Sequence, residues 1–154
     1  MSDNVRTRPL FELKLLVKNK QFFGTTPIGD RRVVVILGGH FEGDRLKGKV
    51  VEEGGADWLI YRPDRALQLD VRLTLRTDDD QLIGMTYRGF RHGSPDLEER
   101  LTKGENPDPS TYYFRSTAFF ETAAPKYDWL NRIVTVGIGA KLPEGPVYRM
   151  FEVL

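Results

Sequence analysis

Ala66-Leu67-Gln68-Leu69-Asp70-Val71-Arg72-Leu73-Thr74-Leu75-Arg76-Thr77 alternates along its length. Leu67, Leu69, Val71, Leu73 and Leu75 share one face. Gln68, Asp70, Arg72, Thr74 and Arg76 share the other, which is the two-residue period of a β-strand. The pattern spreads outward from there. Residues 10–18 set Phe11, Leu13, Leu15 and Val17 against Glu12, Lys14 and Lys18, and residues 31–37 are a β-branched run. Residues 46–52 and 57–61 read as short strands. Residues 81–90 return from the polar tip Asp78-Asp79-Asp80 with Ile83, Met85 and Tyr87 on one face. Residues 111–122, 132–142 and 146–154 complete the series.

Turn signals separate neighbours at Thr26-Pro27-Ile28-Gly29-Asp30, Gly54-Gly55, Pro63-Asp64 and Pro143-Glu144-Gly145. Helix is scarce. Ser94-Pro95 reads as a cap and first helical residue ahead of 96–103, which Gly104 ends, and residues 125–131 supply one turn or two. Short connections between many strands predict an all-β fold: a single antiparallel β-barrel of about eight to ten strands with one or two short helices. The barrel is expected over 9–154, with 1–8 a disordered arm. A barrel gives the polar strand faces an interior to line, whereas a sandwich sends them to water. The commoner arrangement, leucines inside and charges in solvent, is the competing reading.

With 154 residues the chain is one domain with room for a sizeable core. A net charge of +1 gives no reason to expect nucleic acid or a membrane as partner, and Arg31-Arg32 is too small a basic cluster to change that. No cysteine is present, which removes disulfides, thiolate zinc sites and cysteine nucleophiles and fits a reducing cytoplasm. Residues 1–9 lack the apolar core of a signal peptide, and the longest apolar run, 33–37, is too short to span a bilayer. A cytoplasmic protein is expected.

Several motifs fail on their chemistry. Gly48-Lys49 is followed by Val50 inside a strand, so no phosphate loop opens a helix. His40-x-Glu42 lacks the P-C-x-x-C partner of zinc deaminases, and the other histidine, His92, lies in a loop. No G-x-S-x-G elbow exists. Neither metal nor cofactor is expected. The glycines of this region suit bends at barrel corners.

Five separated motifs, in order, carry a resemblance. They are the run from Gly38-Gly39-His40 to Gly48, Gly54-Gly55-Ala56-Asp57-Trp58, Leu69-Asp70-Val71-Arg72, Arg76-Thr77-Asp78-Asp79, and Tyr127-Asp128-Trp129-Leu130-Asn131. Together they resemble the family called domain of unknown function 3237, across nearly the whole chain. The resemblance implies a single antiparallel barrel with an internal cavity, similar in outline to lipocalin and allene oxide cyclase barrels. It implies no general activity. The family pattern often has threonine where this chain has His40.

Candidate chemistry follows from shared strand faces. Asp70 and Arg72 point the same way, as do Arg115 and Glu121. Converging in one cavity, the carboxylates could move a proton and the arginines hold a carboxylate or enolate. The competing reading is a set of cross-strand salt bridges. Asp57 is a further acid/base candidate, and Asp57, Trp58, Glu42, Phe120, Trp129 and Asn131 are expected to contact ligand. The expected function is a cofactor-independent enzyme of isomerase, cyclase or hydratase/lyase type. Its substrate would be an apolar or aromatic carbonyl or carboxylate metabolite. The alternative is a non-catalytic, lipocalin-like carrier. A small-molecule ligand and a homodimer are the partners considered.

Overall fold

The computed structural model describes residues 3–154, apart from the side chain of Asn19. Its strands are β1 (Thr7–Thr26), β2 (Gly29–Glu42), β3 (Lys47–Val50), β4 (Gly55–Tyr61), β5 (Leu67–Thr77), β6 (Leu82–His92), β7 (Tyr113–Glu121), β8 (Thr135–Leu142) and β9 (Gly145–Val153). Among the described residues, helical structure is limited to α1 (Leu97–Thr102) and two 3-10 segments, Pro109–Thr111 and Pro125–Arg132.

All strands join one antiparallel sheet that closes on itself. The order runs β1, β9, β8, β7, β6, β5, and β5 pairs with both β3 and β4; these pair with β2, which returns to β1. β3 and β4 lie end to end. Residues 39–42 of β2 face β3 and residues 30–36 face β4, while β5 meets β3 through 75–77 and β4 through 67–72. The pair therefore fills one position in a ring of eight. The break between them is tied down where Val51 N–H donates to the Thr74 carbonyl at 2.9 Å, and Glu53 takes a φ of 53°.

A ring of eight positions is just wide enough for side chains to fill. The pleat decides which side chains do so. Leu67, Leu69, Val71, Leu73 and Leu75 are buried inside, together with Ile83, Met85 and Tyr87 of β6 and Phe114, Ala118 and Phe120 of β7. Each large aliphatic chain gains roughly 1.5–3 kcal/mol on burial, whereas each buried unpaired charge costs several. The polar faces therefore look to solvent, and the barrel that was expected to enclose them encloses their apolar counterparts.

One end of the barrel is plugged. The segment Pro125–Arg132 buries Tyr127 and Leu130, and Trp129 packs against the core beneath the Arg45 guanidinium, 4.1 Å from its ring centroid. Glu152, buried near the end of β9, accepts from Arg45 at 2.6 Å and Arg8 at 2.7 Å. Tyr127 donates to Asp79 at 2.7 Å, fastening the plug to the hairpin between β5 and β6.

Several boundaries differ from the sequence reading, three of them with a visible local cause. β1 continues to Thr26 because β2 supports it past Lys14, where its pairing with β9 stops; register shifts accompany that change of support. Pairing of β1 begins at Thr7 against Val153, so Thr7 and Arg8 of the expected arm are strand, and residues 1–2 of that arm lie outside the described residues. α1 takes Asp96 as its N-cap position, with no side-chain capping bond, rather than Ser94, whose hydroxyl donates to the Asp96 carboxylate at 2.7 Å.

Gly39 marks a corner of β2. Its φ is +145°, and a Cβ there would lie 2.1 Å from the Lys14 carbonyl oxygen. Gly39→Ala is expected to cost about 2 kcal/mol or more, because backbone has to move. Gly24→Ala, at φ +85° with open space around it, is expected to cost about 1 kcal/mol. Urea midpoints should rank wild type, Gly24→Ala, Gly39→Ala.

Candidate active site

The barrel half opposite the plug is not filled. A cavity of about 250 Å³ remains there, walled by Leu15, Val34, Ile36, Leu59, Leu67, Leu69 and Phe114. α1 lies across this end, with Leu97 and Leu101 buried and Leu101 facing the cavity.

Polar groups enter on the inward parity of strands that are otherwise apolar. On β4 that parity reads Asp57, Leu59, Tyr61, and on β6 it reads Tyr87, Gly89, Arg91. Asp57 Oδ1 accepts from the Asp70 backbone N–H at 3.0 Å. Burial pushes the Asp57 carboxyl up to about 6, against the opposing pull of that hydrogen bond and of the Arg91 charge. Nearby, the Tyr87 and Tyr148 rings meet edge-on at 5.0 Å, and Phe114 packs on Tyr148 at 5.3 Å. Burial pushes both phenols well above the ordinary tyrosine value, and the Asp57 charge adds to it. Both therefore remain protonated donors at neutral pH.

Arg91 is held rigidly. Its side chain is 8% exposed, and its Nε and a terminal nitrogen donate to the two carboxylate oxygens of Glu98 at 2.9 and 2.7 Å. Tyr61 donates to the same carboxylate at 3.0 Å; burial, then the Glu98 charge, pushes its phenol up to about 12. Since Glu98 sits on α1, this fork fastens the helix to the barrel mouth. Lys20 and Lys141 line the rim, and partial burial lowers both ammonium groups, aided by the Arg91 charge.

Among the residues singled out from sequence, Asp57 lies in the cavity wall. The four that were expected to converge do not. Asp70, Arg72, Arg115 and Glu121 stand on the outer face, because their strands turn leucines and aromatics inward. Asp70 has a long contact to Arg88 at 3.7 Å, and only its backbone serves the cavity. Arg115 donates to the Phe114 carbonyl at 2.9 Å and packs on Tyr113 outside the barrel. Trp58 points outward against Phe23. Phe120 is buried against Phe11 in the plugged half, and Trp129 belongs to the plug. Asn131 exchanges two hydrogen bonds with the Thr122 backbone, at 2.8 and 2.9 Å. Glu42 is exposed near the plugged end, and His40 is exposed on β2, away from the cavity. Tyr61, Arg91, Glu98, Tyr148, Lys20 and Lys141 were not singled out as site residues. The signal for Arg91 was present: a charge continuing the apolar face Ile83, Met85, Tyr87.

The model of the family described as "Protein of unknown function (DUF3237)" matches residues 5–153. The chain belongs to this family. A UPF0311 protein of Rhodopseudomonas palustris is 32% identical over 154 residues, covering 100% of both chains. A crystal structure of a conserved protein of unknown function from that species aligns over 100% of both chains with a TM-score of 0.92. A β-barrel-like protein from Acinetobacter baumannii is 36% identical, with a TM-score of 0.86 over 100% of this chain and 99% of its own. An enzyme from Penicillium herquei shares the fold at 18% identity, with a TM-score of 0.75 over 100% of this chain and 98% of its own. Among the described residues, no helix is long and apolar enough to cross a membrane.

Two outcomes follow from the site's electrostatics. The folded protein holds a proton on Asp57 between about 3.8 and about 6, where an unfolded chain has released it. The stability this group contributes is therefore full below 3.8 and lost as pH rises through 6. Asp57→Asn removes that loss, so its stability relative to wild type should climb from pH 4 to pH 8 by about 2–3 kcal/mol, measured by urea unfolding at each pH. Glu98→Ala leaves the Arg91 charge buried without its partner, and thermal melts should report a loss of about 3 kcal/mol.

Proposed function

We propose that the protein is a cofactor-independent enzyme that shifts a proton, and with it a double bond or ring closure, on a small apolar or aromatic carbonyl compound. The observation that carries this is the Asp57 carboxyl, set in a hydrocarbon wall beside two un-ionised phenols and poised near neutrality. A carboxyl with such a value is ionised and basic enough to take a proton and, once protonated, acidic enough to return it. An Asp57 carboxylate would accept a proton from the carbon next to the substrate carbonyl. The electrons left behind would move onto the carbonyl oxygen, and Tyr148 or Tyr87 would donate a hydrogen bond to that developing enolate. Asp57 would then return the same proton to a different atom. The product is an isomer, so no external oxidant, reductant or second substrate is required. That a barrel of this fold from Penicillium herquei is described as an enzyme supports catalysis as a use of the architecture.

A carrier is the second reading, supported by the predominance of hydrocarbon in the wall and by the Arg91 charge already met by Glu98. The two are separated by incubating the protein with a small-molecule extract of its source cells and following masses over time. Catalysis predicts that one compound declines as an isomer of identical mass accumulates, and that Asp57→Asn abolishes the change while binding persists. Release of a bound compound, unaltered after prolonged incubation with wild type, sinks the enzyme reading in favour of the carrier.

A further inference from the structure

Among the described residues Lys20 and Lys141 join no salt bridge, and the acid deeper in the wall, Asp57, lies in the field of Arg91 rather than at the cavity mouth. Lys20 reaches the mouth from the β1–β2 hairpin and Lys141 from the end of β8, close enough that each lies in the field of Arg91 and that Lys20 acts on Lys141. Arg32 acts on Lys20 through its charge, its guanidinium lying 4.5 Å over the Tyr61 ring. The acidic groups nearby are largely engaged. Glu98 is bound by Arg91 and Tyr61, and Asp30 pairs with Arg32 at 3.0 Å. Glu144 lies in the turn after β8 and acts on Lys141 only through its charge. Lys141 Nζ donates to the Leu142 carbonyl at 2.7 Å, which leaves two of its three protons to offer. Arg32 Nε is buried with no hydrogen-bond partner.

A rim of this kind, above an apolar wall, fits an amphipathic anion. We infer that the site takes a small monocarboxylate, its anionic group seated between Lys20 and Lys141 at the mouth and its apolar body directed inward toward Asp57. This rests on the binding reading of the cavity given above and names the substrate class for it. The arrangement orients as well as attracts. A carboxylate held at the rim cannot approach Asp57, which lies four residues down β4 from Tyr61, so the apolar portion is what reaches the acid/base group. Two lysines meeting an anion at a partly desolvated rim contribute more than the same pair in open water.

Benzoate and benzamide test the assignment, because they share shape and differ in charge. Titration of the full chain by isothermal calorimetry at pH 7.5 in low salt should give benzoate at least tenfold tighter binding than benzamide. Lys20→Met with Lys141→Met should bring benzoate to the benzamide level with the benzamide affinity held. Lys141→Gln alone should remove part of the preference, which keeps the test intact if the double variant folds poorly. Equal affinities in wild type, a preference that survives both substitutions, or binding of neither probe overturns the inference. Failure of turnover with the benzoate preference intact removes the catalytic reading and leaves the anion site standing. Turnover without the preference does the reverse.

Discussion

Closure of the ring is the constraint on which the other features depend. β1 pairs with β9 over residues 7–14 and with β2 over residues 12–26, so the sheet has no open edge within the barrel. A closed ring of eight positions has one inside, and that inside is narrow. Hydrocarbon fills it as far as the plug, and what space remains is pushed to the opposite end. The location of the cavity is thus a result of packing before it is a matter of chemistry.

At that end a few polar groups sit in a setting that water would otherwise neutralise. Asp57 is shifted toward neutrality by the hydrocarbon around it, and Arg91 is kept charged by the carboxylate of Glu98. The two effects have opposite sign and different origins, desolvation for one and a paired fork for the other. Their coexistence within one small cavity separates a group able to exchange a proton from one that is fixed. α1 contributes Leu101 to the cavity lining, and its Glu98 side chain ties the cover of the cavity to its wall.

Much of the architecture was legible because alternation is a local property. The strands 66–77 and 81–90 announced themselves, and so did the barrel class, the short helix near 97 and the turns at 125–131. Alternation does not say which face lines the inside, and the leucines take it. Asp70 and Arg72 drew attention as a charged pair, but a charged residue among polar neighbours marks the solvent side. The informative positions are charges that fall in step with leucines. Asp57 precedes Leu59, Arg91 follows Tyr87, and Glu152 follows Met150 on the same parity, and all three are turned toward the interior. Tyr148, Lys20 and Lys141 could not be found by that rule. Their meeting depends on β1, β8 and β9 coming together, and such long-range proximity has no local trace.

The plug beneath Arg45 and Trp129 has a kinetic meaning. With that end stopped, the vessel resembles a flask with one neck rather than a pipe, and whatever enters must back out along the way it came. On the proposed catalytic reading, two molecules could not pass one another in it. Departure would have to precede arrival, and a converted molecule of similar shape would compete for the doorway with those still outside.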